Sequence, residues 1–262
     1  MKILVTNDDG ISSPGLWALA ESLKKIGDVV VVAPDRQQSG VGSSITLHNA
    51  VRMAPTIFNR EGIESYAVEG TPGDSVILAT EKLVEGPIDL LVSGINTGSN
   101  LGNDVFVSGT VGATFHGFFR GIPSLAVSVT SLYDVHFEAA ARIACLLAAK
   151  ARDGRLPPRA LINVNVPNKP LAQLKGVKVT RLSDGSYTEV VDEGNDPRRL
   201  HYWINRSRPN WTTQPGTDVW AVENDLISIT PLQNDITAHA SLPDVTGLTE
   251  NMFQDLRNGL ED

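Results

Sequence analysis

The chain has 262 residues, with 22 Lys+Arg against 30 Asp+Glu, so its formal net charge is -8 with the five His counted neutral. That balance excludes the basic surface with which DNA and RNA binders neutralise phosphates, and any phosphate handled here is small or is met with the help of a metal. At 41% hydrophobic and 20% charged residues, the composition is globular rather than disordered.

In chain order, residues 2–6 (KILVT) form a short apolar run of the kind buried on both faces of a parallel sheet, ending in the polar turn Asn7-Asp8-Asp9-Gly10. A helix is predicted next: Ser13 as N-cap, Pro14 in the first helical position, Leu16, Leu19, Ala20 and Leu23 at helical spacing, and Gly27 as a stop. Val29–Ala33 follows as a second strand, and the three elements read as a βαβ unit. Strand-like pieces at Ser44–Leu47 and Glu64–Val68 are expected as antiparallel additions to the sheet edge. Thr71-Pro72-Gly73-Asp74 opens a helix to about Val84. Ile88–Ser93 is a further strand, Thr110–Phe119 a helix, Ser124–Val129 a strand, Phe137–Ala151 an Ala-rich helix, and Leu161–Val166 a strand of the same sheet. Beyond it, hairpin-like pieces at Tyr187–Val191, His201–Ile204, Val219–Val222 and Leu226–Ile229 suggest an arm over about 185–230, and 249–260 reads as a terminal helix. The predicted fold is a single α/β domain over 1–262, with a Rossmann-like, open, mostly parallel sheet, helices on both faces and a C-terminal β-hairpin arm.

The single Cys145 excludes an intrachain disulfide, and no Cys/His cluster offers a structural zinc site. The start of the chain lacks the roughly 7–15 apolar residues of a signal peptide, and no run approaches the ~18 residues of a membrane span. A soluble, cytoplasmic chain with no membrane partner is expected.

Ligands of open parallel sheets bind beyond the carboxyl ends of the strands. Three polar segments stand there: Asn7–Gly10, Asp35–Gly40 and Ser93–Gly98. Asp8 and Asp9 are adjacent carboxylates with no basic neighbour in sequence. They repel unless a proton or cation intervenes, although Asp-Asp-Gly is also an ordinary turn sequence. Oxygen donors without His or Cys suit a hard ion such as Mg²⁺ or Mn²⁺. The Gly-rich stretch Ser93–Gly112 carries Gly98, Gly102, Gly109 and Gly112, with Ser108 and Thr110 at a helix start, and could present N–H groups and hydroxyls to an anion. It is neither a Walker loop nor a G-x-G-x-x-G dinucleotide turn. There is no G-x-S-x-G elbow, and His48, His116, His136, His201 and His239 have no metal-ligand spacing.

ILVTNDDG at 3–10, APDRQQSG at 33–40, GTPGDSV at 70–76, SGINTGSNLGNDVFVSGTVGAT at 93–114, GIPSLAVS at 121–128, DPRRLHYWIN at 196–205 and TDVWAVENDLISITPL at 217–232 together resemble the stationary-phase survival protein SurE family of metal-dependent 5′/3′-nucleotidases. The resemblance implies one divalent cation held by Asp8, Asp9, Ser39 and Asn96, and a substrate phosphate near Asn96, Ser108, Gly109 and Thr110. It also implies dimers or tetramers with exchanged segments. The chain departs from the family's usual pattern at Gly73 and Ser75, at Val107, at Thr114-Phe115-His116 and at Asp225-Leu226, none of which is an implied ligand.

The expected activity is hydrolysis of nucleoside 5′-monophosphates, with 3′-monophosphates as a further candidate substrate, by water activated on the metal, with Asp8 and Asp9 as catalytic residues. An Asp nucleophile forming an aspartyl-phosphate is a different route to the same products. From another class, the chain could be a non-catalytic nucleotide-binding or assembly module.

Overall fold

The computed structural model of the chain describes residues 1–56, 58, 60–185, 189–194, 201–206 and 213–258. They form two compact units, Met1–Leu232 and Gln233–Asp262.

The first unit is built on strands β1 (Lys2–Thr6), β2 (Asp28–Pro34), β3 (Met53–Pro55), β4 (Glu64–Val68), β5 (Leu90–Thr97), β6 (Ser124–Val129), β7 (Leu161–Val166), β8 (Gly176–Val179) and β11 (Leu226–Pro231), with the hairpin strands β9 (Glu189–Glu193) and β10 (Tyr202–Arg206) apart from them. Its helices are α1 (Pro14–Leu23), α2 (Pro72–Leu78), α3 (Gly109–Phe119), α4 (Phe137–Arg152) and α5 (Asp218–Glu223). The sheet order is β3-β4-β2-β1-β5-β6-β7-β11-β8. From β4 to β7 all neighbours are parallel, while β3 and β11 pair antiparallel with β4 and β7.

Strand side chains alternate between faces, and this splits the core in two. Ile3, Val5, Val29, Val31, Leu90 and Val92 pack with Leu16 and Leu19 of α1 and Ala140 and Ala144 of α4. Leu4, Val30, Val32 and Leu91 face Val76 of α2 and Ala113 of α3 on the opposite side. With both faces covered by helices, the sheet opens to solvent at its strand ends, where the polar segments lie.

Local signals fix several helix starts. Thr71 accepts from the Asp74 N–H at 3.1 Å while the Asp74 carboxylate accepts from the Thr71 N–H at 2.9 Å, a reciprocal capping box with Pro72 just inside. Ser13 occupies the N-cap of α1 without a side-chain cap bond, and α1 ends at Leu23, one turn before Gly27.

Several expectations need correction. Ser44–Leu47 is not a strand; the edge strand is β3, and β4 lies parallel to β2. β5 begins at Leu90 and runs on through Thr97, with a register shift between Gly94 and Asn96. A side chain at Gly94 would put its Cβ 2.3 Å from the Val127 carbonyl oxygen, so the irregular step depends on glycine. Val219–Val222 belongs to helix α5, because Thr217 caps it by accepting from the Trp220 N–H and Asp218 opens its first turn. Leu226–Ile229 lies in β11 of the main sheet rather than in an arm. Of the predicted arm, the β9–β10 pair stands apart as an antiparallel hairpin, with Trp203 opposite Asp192; Tyr187, Thr188, Arg198, Arg199 and Trp211 fall outside the described residues.

The second unit carries α6 (Leu242–Leu248) and α7 (Met252–Asn258), so the predicted terminal helix starts at Met252, and Leu260 lies outside the described residues. Among the described residues no helix is long and apolar enough to cross a membrane.

Candidate metal and phosphate site

The three strand-end segments converge. Asn7, fully buried after β1, clamps its turn by donating to the Gly10 carbonyl at 3.1 Å and accepting from the Gly10 N–H at 3.2 Å. The turn holds Asp8 buried and Asp9 half-buried. The Gln38 N–H donates to the Asp8 carbonyl at 2.7 Å, which ties the segment after β2 to the segment after β1. Ser39, next in sequence, is exposed and receives the Gln37 side-chain N–H at 3.1 Å.

From β5, Thr97 donates to Asp9 Oδ2 through its N–H at 3.2 Å and its hydroxyl at 3.3 Å. Its neighbour Asn96 is buried and donates its amide N–H to the Gly98 carbonyl at 2.7 Å, which turns the amide oxygen the other way. From α3, the Thr110 hydroxyl donates to Asp8 Oδ1, and the Thr110 N–H also faces that carboxylate. Ser108 caps α3 by accepting from the Val111 N–H at 3.1 Å. Gly109 sits against the carboxylate: a Cβ there would lie 2.8 Å from Asp8 Cβ and 3.1 Å from the Gln38 carbonyl oxygen.

Burial pushes the Asp8 carboxyl up to about 6, with the neighbouring Asp9 charge adding to the rise and the Thr110 donors opposing it. Burial also raises Asp9, against the pull of the Thr97 donors. Among the described residues no Lys, Arg or His forms an ion pair with either carboxylate. Two close, partly desolvated acids without a basic partner fit a hard divalent cation as counter-charge. The donor set fits such an ion through two carboxylates and neutral oxygens; no group of three His, Cys, Asp or Glu side chains that could hold a metal occurs among the described residues.

Thr97 and Gln38 lie inside the polar segments that the sequence marks, but neither is among the residues expected to hold the cation or the phosphate. Thr97 directly follows Asn96, and its adjacency to that residue was the available signal. Gln38 acts through its backbone, for which the sequence carries no signal.

A doubly wound sheet with an acidic pair beyond its first strand, next to a helix N-terminus, defines an α/β protein with its ligand site at the carboxyl edge of the sheet. The family model of the survival protein SurE matches residues 3–189. The chain is 46% identical over 234 residues to the 5′-nucleotidase SurE of Dehalococcoides mccartyi (88% of each chain) and 46% identical to that of Aeromonas hydrophila (92% of this chain, 96% of the relative). A crystal structure of the SurE protein from Aquifex aeolicus matches with a TM-score of 0.80 at 39% identity, covering 95% of this chain and 99% of that one. The chain belongs to the SurE survival protein family.

Proposed function

We propose that this chain is a divalent-metal-dependent phosphomonoesterase that hydrolyses nucleoside 5′-monophosphates, and 3′-monophosphates as well, to nucleoside and phosphate. The observation that carries the reading is the convergence on one strand end of Asp8 and Asp9, lacking a basic partner among the described residues, with the start of α3. Relatives named 5′-nucleotidase, at 40–46% identity over most of the chain, supply the substrate class.

In this reading Asp8, Asp9, Ser39 and Asn96 hold one Mg²⁺ or Mn²⁺. Bound there, the ion would supply positive charge to phosphoryl oxygens and acidify a water. The Thr110 hydroxyl and N–H fix the Asp8 carboxylate, and Thr97 fixes Asp9, so neither swings toward an arriving phosphate. Ser108, whose oxygen accepts from Val111, still has its hydroxyl proton to donate to a phosphate oxygen. Gly109 lets the helix start approach without a side chain in the way, and its N–H favours the anionic group. Asn96 borders both ligands.

The exposed apolar residues of the hairpin (Val191, Tyr202, Trp203, Ile204) and of the second unit (Leu248, Phe253, Leu256) support a homodimer or homotetramer. The unpaired thiol of Cys145 accords with a cytoplasmic setting. The test is phosphate release from AMP and GMP with Mg²⁺, Mn²⁺ or EDTA. The reading expects turnover that EDTA abolishes; no release with any divalent ion would favour a nucleotide-binding module without turnover.

A further inference from the structure

The segment after Ser39 has no regular secondary structure, yet its polar groups are taken up one by one. The Ser44 carbonyl accepts the Thr71 hydroxyl at 2.8 Å. Asp74 accepts the Thr46 N–H at 2.8 Å and the Thr46 hydroxyl at 2.7 Å. The Ser43 carbonyl, one residue from the Gly42 N–H that donates to Val107 O at 2.9 Å, meets Nε2 of His116 at 3.0 Å. A carbonyl can only accept, so Nε2 carries the proton in this contact. His116 is buried on the inner face of α3, the helix whose first turn meets Asp8. Room for the ring comes from α2: a Cβ at Gly73 would lie 2.7 Å from His116 Nε2 and 2.8 Å from the Ser44 carbonyl oxygen.

Ser39 therefore stands on a short span between two fixed points, the Gln38 N–H on Asp8 and the Gly42–Ser43 anchor on Val107 and His116. Between them, Gly40 and Gly42 adopt φ of 78° and 58°, a region glycine enters at little cost. Glycine gives the span little stiffness of its own, so besides the exposed Gln37 amide N–H on Ser39 Oγ, its anchors bear on where the Ser39 hydroxyl lies. Water could satisfy the Ser43 carbonyl but could not hold it in place.

We propose that His116 is a positioning residue for the cation site, acting through the Ser43 carbonyl on Ser39, with Gly73 as the vacancy that admits its ring; this rests on the reading of Ser39 as a metal ligand. The test is Mn²⁺ affinity of the full-length chain, measured by electron paramagnetic resonance of free Mn²⁺ well below the melting temperature. His116→Leu should weaken Mn²⁺ binding about three- to tenfold, the equivalent of one neutral hydrogen bond. His116→Gln, which returns an N–H near the same point, should restore it. Ser39→Ala should weaken binding too, and adding His116→Leu to it should cost nothing more, because both act on one ligand. Gly73→Ala reaches the same bond from the other side. Alanine favours a helix, so a folded Gly73→Ala chain with weakened Mn²⁺ binding supports the proposal even where His116→Leu fails to fold. Unchanged affinity in folded His116→Leu or Gly73→Ala, or additive losses with Ser39→Ala, would overturn the role of His116 alone. A wild-type chain that binds no Mn²⁺ would overturn the metal reading and this role with it.

Discussion

Helices α2 and α3 each begin beside an aspartate from which they draw or give hydrogen bonds, and these two aspartates are treated in opposite ways. At α2, Asp74 is pushed up by burial, but N–H and hydroxyl donors from Thr46 and Thr71 outweigh that and hold its carboxyl below the usual range. At α3, Asp8 also receives the Thr110 hydroxyl, yet burial and the charge of Asp9 drive it up to about 6. The chain stabilises the first aspartate's charge with its own hydrogen-bond donors and leaves the second short of them. One is a structural clamp and the other reads as a site, and the surplus or deficit of donors separates them.

The largest effect is expected on turnover. Asp9→Asn should lower divalent-dependent phosphate release from AMP by about 10²–10³-fold, the scale of losing one preorganised charge-stabilising group, with the circular dichroism spectrum unchanged. Full activity in that variant would remove Asp9 from the chemistry.

The next effect concerns stability without metal, and its sign distinguishes the two aspartates. Native Asp8 keeps its proton up to about pH 6, whereas the unfolded chain releases it near 3.8. Across that window the native state binds more protons, so the Asp8 contribution lowers stability as pH rises, by about 3 kcal/mol in total. Chelator-treated Asp8→Asn should accordingly be more stable than wild type above pH 6, as read from urea melts. Asp74 behaves inversely: its stabilisation is present above the ordinary carboxylate value and is lost as pH falls through its lowered one. Asp74→Asn should therefore destabilise at pH 7, by about 1–3 kcal/mol for the donors it leaves poorly paired. A loss of stability in both variants at pH 7 would erase the contrast.

A smaller effect is expected at the close approach of α3. Gly109→Ala places a methyl 2.8 Å from Asp8 Cβ and should cost about 1–3 kcal/mol through overpacking, with Mn²⁺ affinity falling alongside. The equivalent crowding at α2, Gly73→Ala, falls on His116 and Ser44 and leaves Asp8 untouched.

Much of this arrangement was legible in the sequence. KILVT, the β-branched run before Pro34 and the Ala-rich stretch from Phe137 carry their periodicities openly, and Asn7-Asp8-Asp9-Gly10 announces a polar turn after a buried strand. Less legible were places where distant contacts override local pattern. Ser44–Leu47 reads as extended, but Asp74 holds the Thr46 N–H and hydroxyl and Thr71 takes the Ser44 carbonyl, and no strand is left to pair. Gly94–Thr97 reads as loop, yet β6 pairs with it and delivers Thr97 to Asp9. Val219–Val222 has a β-branched residue at each end but follows a Thr217-Asp218 helix start, and the cap decides. Edge strand β8 is exposed along its whole length and only four residues long, too short for the Val177 and Val179 alternation to stand out.

The most direct test of the cation site is a calorimetric titration of metal-free wild type and Asp8→Asn with Mn²⁺ at pH 7.5. Wild type should bind one ion per chain, and the variant should show no saturable binding. Equal, stoichiometric binding by both proteins would contradict a cation site at Asp8.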